Sequence, residues 1–219
     1  SSAKKGRDNM TKITDTLPIT IVCGIILTII MVFVGQHTIT GSISMGPALD
    51  VPMYVSFLDR WLHVISGVMW IGLLWYFNFV QIRKMPDIPA EQKPAVSKHI
   101  APEALFWFRW SAVGTLVTGI LVAATYGYLV VAYTLGAVEG FAVRKQIFIG
   151  IGMWLATIMF LNVWLVIWPN QKVALGLVEA DADAKAKAGR TAMLFSRTNM
   201  LLSIPMLASM AMTQTLFGG

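Results

Sequence analysis

His63 lies inside the run Arg60-Trp61-Leu62-His63-Val64-Ile65-Ser66-Gly67-Val68-Met69-Trp70-Ile71-Gly72, part of an apolar stretch long enough to cross a bilayer. Ionisable side chains are costly in membrane helices, so a histidine there points to a function. Gly67 follows one helical turn later, on the same face. A glycine there removes bulk beside the imidazole, and a flat macrocycle needs such clearance to reach an axial histidine. His63 is therefore a candidate ligand to haem iron. The same pair equally suits a histidine hydrogen-bonded to a neighbouring helix, with Gly67 as a close helix contact. Asp59 and Arg60 stand just before it. They suit an interfacial ion pair, and Arg60 also suits a cofactor's propionate.

The elements that must position these residues are membrane spans. The chain has 219 residues, 56% hydrophobic and 13% charged, whereas soluble domains carry about 25% charged residues. Five segments have the length and apolar character of spans: 17–34, 57–80, 105–133, 147–168 and 193–217. Pro205 sits in the last and predicts a kink. The first is too long for a signal-peptide core and has no small-residue cleavage site after it, so it reads as a true span. The expected fold class is an all-α integral membrane bundle: a cytoplasmic tail (1–16) followed by one helical membrane domain (17–219).

Loop charge orients the bundle. Lys4, Lys5, Arg7 and Lys12 precede the first span; Arg83, Lys84, Lys93 and Lys98 follow the second; Lys172, Lys185, Lys187 and Arg190 follow the fourth. The other loops carry only Arg60, Arg144 and Lys145. The positive-inside rule predicts a cytoplasmic N-terminus and puts His63 near the outer face. The net charge of +6 thus reads as topology, with the lipid bilayer as partner and no nucleic acid. The single cysteine, Cys23, forms no intrachain disulfide, and without a Cys-x-x-Cys-His run no covalent c-type haem is expected. Segment 85–101, with three prolines, predicts an irregular loop. Segment 173–189 predicts an extension of the fourth span or a short solvated helix ending near Gly189.

Other polar residues carry structural expectations. Asn162 and Asn199 fall at similar depth, and a hydrogen bond between them is expected. Arg109, within Phe106-Trp107-Phe108-Arg109-Trp110, suits snorkelling or stacking on an aromatic ring, or an anionic group. His37 and His99 read as surface residues. Most of the thirteen methionines read as core filler, although one facing His63 would serve as a second haem ligand. Gly150 and Gly152 offer close helix approach at the depth of His63. Hydrolytic and phosphoryl-transfer motifs are absent.

Several segments together resemble the membrane domain of bacterial cytochrome-c-linked urate oxidases. They are Arg60 to Val64 with Trp70-Ile71-Gly72, Phe106 to Trp110, Thr157-Ile158-Met159 with Asn162-Val163, Ile167 to Lys172, Asn199 to Leu201, and Pro205-Met206-Leu207. They keep their order over about residues 55–212. The resemblance implies a helical domain of the bacterial inner membrane, linked to urate oxidation and passing electrons to a c-type cytochrome. It carries over His63 as a redox-site candidate. The family's cytochrome c domain is not part of this sequence. The family's histidines in the fourth and last spans are matched here by Gly150 and Ser196-Arg197. Two functions follow as expectations. One is a redox protein binding b-type haem through His63, with Gly67 and Arg60 beside the cofactor. The other is a non-catalytic subunit of a larger membrane complex.

Overall fold

The computed structural model describes residues 16–40 and 51–216, with the backbone alone for 36–40 and 51–53. The predicted tail lies almost wholly outside the described residues, and so does the side chain of His37. The chain divides into two compact units, 1–51 and 52–219. In the first, helix α1 runs Leu17–Thr40. Its Leu17–Gly35 stretch has a mean hydropathy of 2.8. A helix apolar on all sides reads as a span. The Thr28 hydroxyl donates back to the Gly24 carbonyl (2.9 Å), so its polar atom is satisfied inside the helix.

In the second unit, α2 (Val51–Trp75) continues through a π-helical turn, Tyr76–Gln81. Helix α3 (Ala101–Thr125) follows a similar turn at Val96–Ile100. A short α4 (Leu129–Tyr133) leads to α5 (Arg144–Leu161), which extends through a third π turn to Ala174. Helix α6 (Ala182–Thr215) closes the unit. The predicted loop after α2 is shorter than its prolines suggested, because Lys93–Thr125 forms one helical stretch of 33 residues.

Heptad-like stripes build the core. Trp70, Leu74 and Phe77 on α2 meet Leu105, Phe108 and Ala112 on α3, Met159, Val163 and Ile167 on the α5 stretch, and Met206 on α6. The intervals of three and four residues place each set on one helix face. A second, smaller cluster packs Ala123, Ala132 and Met153, and many other large apolar side chains are exposed, as a lipid solvent requires.

Among the described residues, four helices are long and apolar enough to span a membrane: Leu17–Gly35, Tyr54–Asp87, Lys93–Thr125 and Arg144–Ala174. The fold is an all-α, multi-pass membrane bundle. The predicted fifth span, 193–217, falls on α6 as far as Thr215. That helix has 34 residues, but its inward face carries Ser196, Asn199, Ser203, Ser209 and Thr213, which lowers its apolar character. These small and polar side chains form the seam against neighbouring helices. Asn162 donates to Asn199 Oδ1 (2.9 Å), as expected, and Asn199 donates to the Met159 carbonyl (2.9 Å). Asn78 donates to Ser196 Oγ (3.0 Å), Trp75 to Ser203 Oγ (3.2 Å), and Ser209 to the Phe148 carbonyl.

Two sequence expectations shift. The predicted span 105–133 breaks after Thr125, where Gly127 takes a left-handed conformation (φ +72°). The short α4 then folds back onto α5: a Cβ on Gly150 would stand 2.0 Å from the Ala132 carbonyl oxygen. Segment 182–189 is also not a helix ending at Gly189. It forms the first turns of α6, capped by Asp181, whose Oδ1 accepts from the Ala184 amide (2.7 Å). Gly189 instead faces the helical extension of α5, where an added Cβ would stand at ordinary contact distance, 3.7 Å, from Ala174 Cβ.

Candidate functional site

Helices α2 and α3 run antiparallel, and their small residues set the register. A Cβ on Gly114 would come within 2.9 Å of Ser66 Oγ. One turn further along, Gly119 faces His63: its Cβ would stand 2.9 Å from His63 Cε1 and 3.3 Å from Nδ1. Only a glycine lets the imidazole lie flush against α3. There Nδ1 lies 3.0 Å from the Thr115 carbonyl and 3.2 Å from the Thr118 hydroxyl. The Thr118 hydroxyl proton is directed to the Gly114 carbonyl (2.6 Å). The Thr115 carbonyl only accepts, so Nδ1 carries the proton. The neutral tautomer then leaves a lone pair on Nε2, and among the described residues Nε2 has no hydrogen-bond partner.

The ring borders a half-open cleft of about 290 Å³. Arg60, His63, Thr115 and Gly119 form one wall, and Met153, Met210 and Gln214 another, with Tyr128 and Tyr133 where α4 closes it. Tyr133 is held by hydrogen bonds from Trp154 to its carbonyl (2.9 Å) and between its hydroxyl and Thr157 (3.1 Å). Tyr128 lies in the loop outside the spans. Burial pushes its phenol above the ordinary value, Arg60's charge pulls it down, and Tyr126 adds a smaller upward push. The cleft is apolar with a few polar groups, the composition of small-molecule sites, and its volume is at their lower edge.

The sequence-predicted residues fall as follows. Arg60 lines the cleft, and its guanidinium lies over the Tyr126 ring at 4.9 Å. Asp59 does not pair with Arg60. It accepts a hydrogen bond from Thr125 (3.0 Å), which ties the end of α2 to the end of α3. Gly67 is not among the lining residues; a Cβ there would meet only Thr115 Cγ2, at 3.9 Å. The clearance beside His63 comes from Gly119, which the spacing within one helix did not reveal. A cluster of small residues on α3 (Gly114, Thr115, Thr118, Gly119) was the available signal.

Gly150 and Gly152 admit protein atoms, the Ala132 carbonyl and Ser209 respectively. Arg109 does not snorkel. It is buried, with its guanidinium stacked on Trp168 at 3.4 Å. His99 is exposed. Among the described residues, no three His, Cys, Asp or Glu side chains group as a metal site.

A polar-seamed, multi-pass helical membrane protein with a histidine-walled cleft is the class this architecture defines. Residues 120–215 match the family model described as urate oxidase N-terminal, so the chain is similar to that family from the end of α3 through α6. The match takes in Gly150, Met153, the Pro169-Asn170-Gln171-Lys172 segment, Asn199 and Met210. Arg60, His63 and Gly67 lie outside it. No curated protein and no solved structure matches the chain.

Proposed function

We propose that the chain is a redox protein of the bacterial cytoplasmic membrane that holds b-type haem through Nε2 of His63. One observation carries this reading: Nδ1–H is committed to a main-chain carbonyl, Nε2 has no hydrogen-bond partner among the described residues, and His63 borders a cleft. Metal-ligating histidines characteristically donate their other ring N–H to a carbonyl or carboxylate, which fixes the tautomer and the ring plane.

The donor set fits haem better than a bare ion. A single imidazole cannot build a metal site alone, whereas a porphyrin brings its own four nitrogens and needs only axial ligands. The Gly119 cradle holds the imidazole edge, and Arg60 is the cation available to a propionate. Thioether side chains line the same cleft. When bound, haem supplies one-electron transfer. Thr115 orients the imidazole, Arg60 offsets carboxylate charge, and the apolar walls exclude water. The partner that completes the path is a c-type cytochrome or another membrane subunit.

A second reading, a non-catalytic subunit of a larger membrane complex, has its own support. Gly150 and Gly152 are filled by protein, and the enclosed volume is small for a macrocycle. His63 would then serve as a helix-to-helix hydrogen bond.

The test is a dithionite-reduced minus oxidised spectrum of the chain purified in detergent. The redox reading expects a b-type α-band that disappears in His63→Ala. Stoichiometric partner subunits with no Soret absorption would overturn it in favour of the second reading.

A further inference from the structure

We propose that the face between α3 and the extended α5, at the basic end of the bundle, binds one anionic phospholipid, with Arg109 and Lys172 holding its phosphate. This site is independent of what fills the His63 cleft. Arg109 is only 8% exposed. Its guanidinium lies over the Trp168 ring at 3.4 Å, and Lys172 Nζ lies over the same ring at 5.7 Å. Two cations thus converge on one indole, and no carboxylate joins them. Among the described residues the only ion pair links Lys84 to Asp87, and Arg109 Nη1 is buried without a hydrogen-bond partner.

An unpaired buried charge costs more than a stack on one indole returns. The missing anion must come from outside the protein, and the position selects its kind. Lys172 stands in the last turn of the helix that ends at Ala174, at the end where Arg83, Lys84, Lys93 and Lys98 also gather. Tryptophan and lysine together mark a bilayer interface, and basic pockets between membrane helices on the cytoplasmic side take anionic headgroups. A second unpaired donor favours a lipid over free phosphate. Trp164 Nε1 is also buried without a partner, and Trp164 lies one turn before Trp168 on the same face, deeper in the bilayer. The ester carbonyls of a glycerophospholipid lie deeper than its phosphate, where Trp164 offers its N–H. Trp110, 51% exposed and edge-on to Trp164 at 5.8 Å, gives the acyl chain an apolar wall. The Arg109 guanidinium rests on the indole alone, so it turns to an arriving phosphate without breaking a hydrogen bond.

The experiment uses the full chain purified in detergent, as the parent and as Arg109→Gln, Lys172→Gln, Trp164→Phe and Lys98→Gln. Native mass spectrometry counts the lipid retained on titration with phosphatidylglycerol or phosphatidylcholine. Thermal unfolding is followed with each lipid and with inorganic phosphate. The parent is expected to retain one phosphatidylglycerol and to be stabilised by it, but not by phosphatidylcholine or inorganic phosphate. Arg109→Gln should weaken retention about tenfold or more, and Lys172→Gln and Trp164→Phe several-fold. Lys98→Gln, exposed at the same end, should behave as the parent. Where Arg109→Gln fails to fold, Lys172→Gln and Trp164→Phe carry the test, and unchanged retention in both overturns the proposal. Equal stabilisation by phosphatidylcholine overturns the selectivity for an anionic lipid, and equal stabilisation by inorganic phosphate replaces the lipid with a free anion. A loss in Lys98→Gln as large as that in Lys172→Gln would mean diffuse attraction to a basic end and overturns the site.

Discussion

A methyl group at position 119 would stand 2.9 Å from His63 Cε1, whereas one at position 67 would meet only Thr115 Cγ2 at 3.9 Å. The two glycines therefore answer differently to alanine. Gly119→Ala pushes the ring off the Thr115 carbonyl. It forfeits a hydrogen bond worth about 1 kcal/mol and adds overpacking of about 1–3 kcal/mol. Gly67→Ala should be neutral or stabilising by about 0.4–1 kcal/mol, because it removes backbone freedom without a clash. Thermal unfolding in detergent, followed by tryptophan fluorescence, measures both, and equal losses would refute the cradle. His63 itself was legible from sequence, because a histidine in an apolar run is conspicuous. Its glycine was not. Spacing along α2 points to Gly67, but clearance is decided by the register between α2 and α3, which no single helix encodes. Arg109 shows the same limit, since snorkelling and stacking on Trp168 differ only in what the neighbouring helix presents.

Helix α6 shows what an element's composition reveals and what it conceals. Its pairing with α5 was readable, because an asparagine in each at similar depth has few other partners in lipid. The structure adds that Asn199 does double duty, accepting from Asn162 and donating to the Met159 carbonyl. Asn199→Ala removes both bonds and leaves the Asn162 amide without that partner. Interhelical hydrogen bonds in membranes average about 0.6 kcal/mol and reach about 1.7, so a loss of about 1–3 kcal/mol is expected. Asn162→Ala should cost less, since the Asn199–Met159 bond survives. Unfolding in mixed detergent and denaturant orders the two variants, and the reverse order would contradict the network. The start of α6 was misread for a local reason. Gly189 resembles a helix stop, but Asp181 supplies a cap eight residues earlier, and Ala188 and Ala192 are buried on either side of the glycine. The π turns at 76–81, 96–100 and 162–167 left no trace in the hydrophobic pattern, because one extra residue shifts a face without changing its apolar content.

At the scale of the second unit, the cleft gathers at one end of the bundle. Arg60 near the start of α2, Tyr128 after α3 and Gln214 near the end of α6 all border it. Arg144 and Lys145 open α5 in the connection that leaves this end. The opposite end carries Arg83, Lys84, Lys93, Lys98 and Lys172, with Lys84 paired to Asp87 at 3.0 Å. A helical stretch of 34 residues, such as Tyr54–Asp87, is about 50 Å long, well beyond a hydrocarbon core of about 30 Å. Its basic terminus therefore has length to reach the headgroups. The charge asymmetry between the ends predicts that the basic end is cytoplasmic and that the cleft opens outward. That orientation matters for the function proposed above, because under that proposal a c-type cytochrome outside the membrane would face the cleft directly. Single cysteines test it in a Cys23→Ser background. Glu139→Cys, at the cleft end, should react with a membrane-impermeant maleimide in intact spheroplasts. His99→Cys, exposed at the basic end, should react only after permeabilisation. The inverse labelling pattern would turn the cleft toward the cytoplasm and would rule out an external cytochrome as the proposed partner.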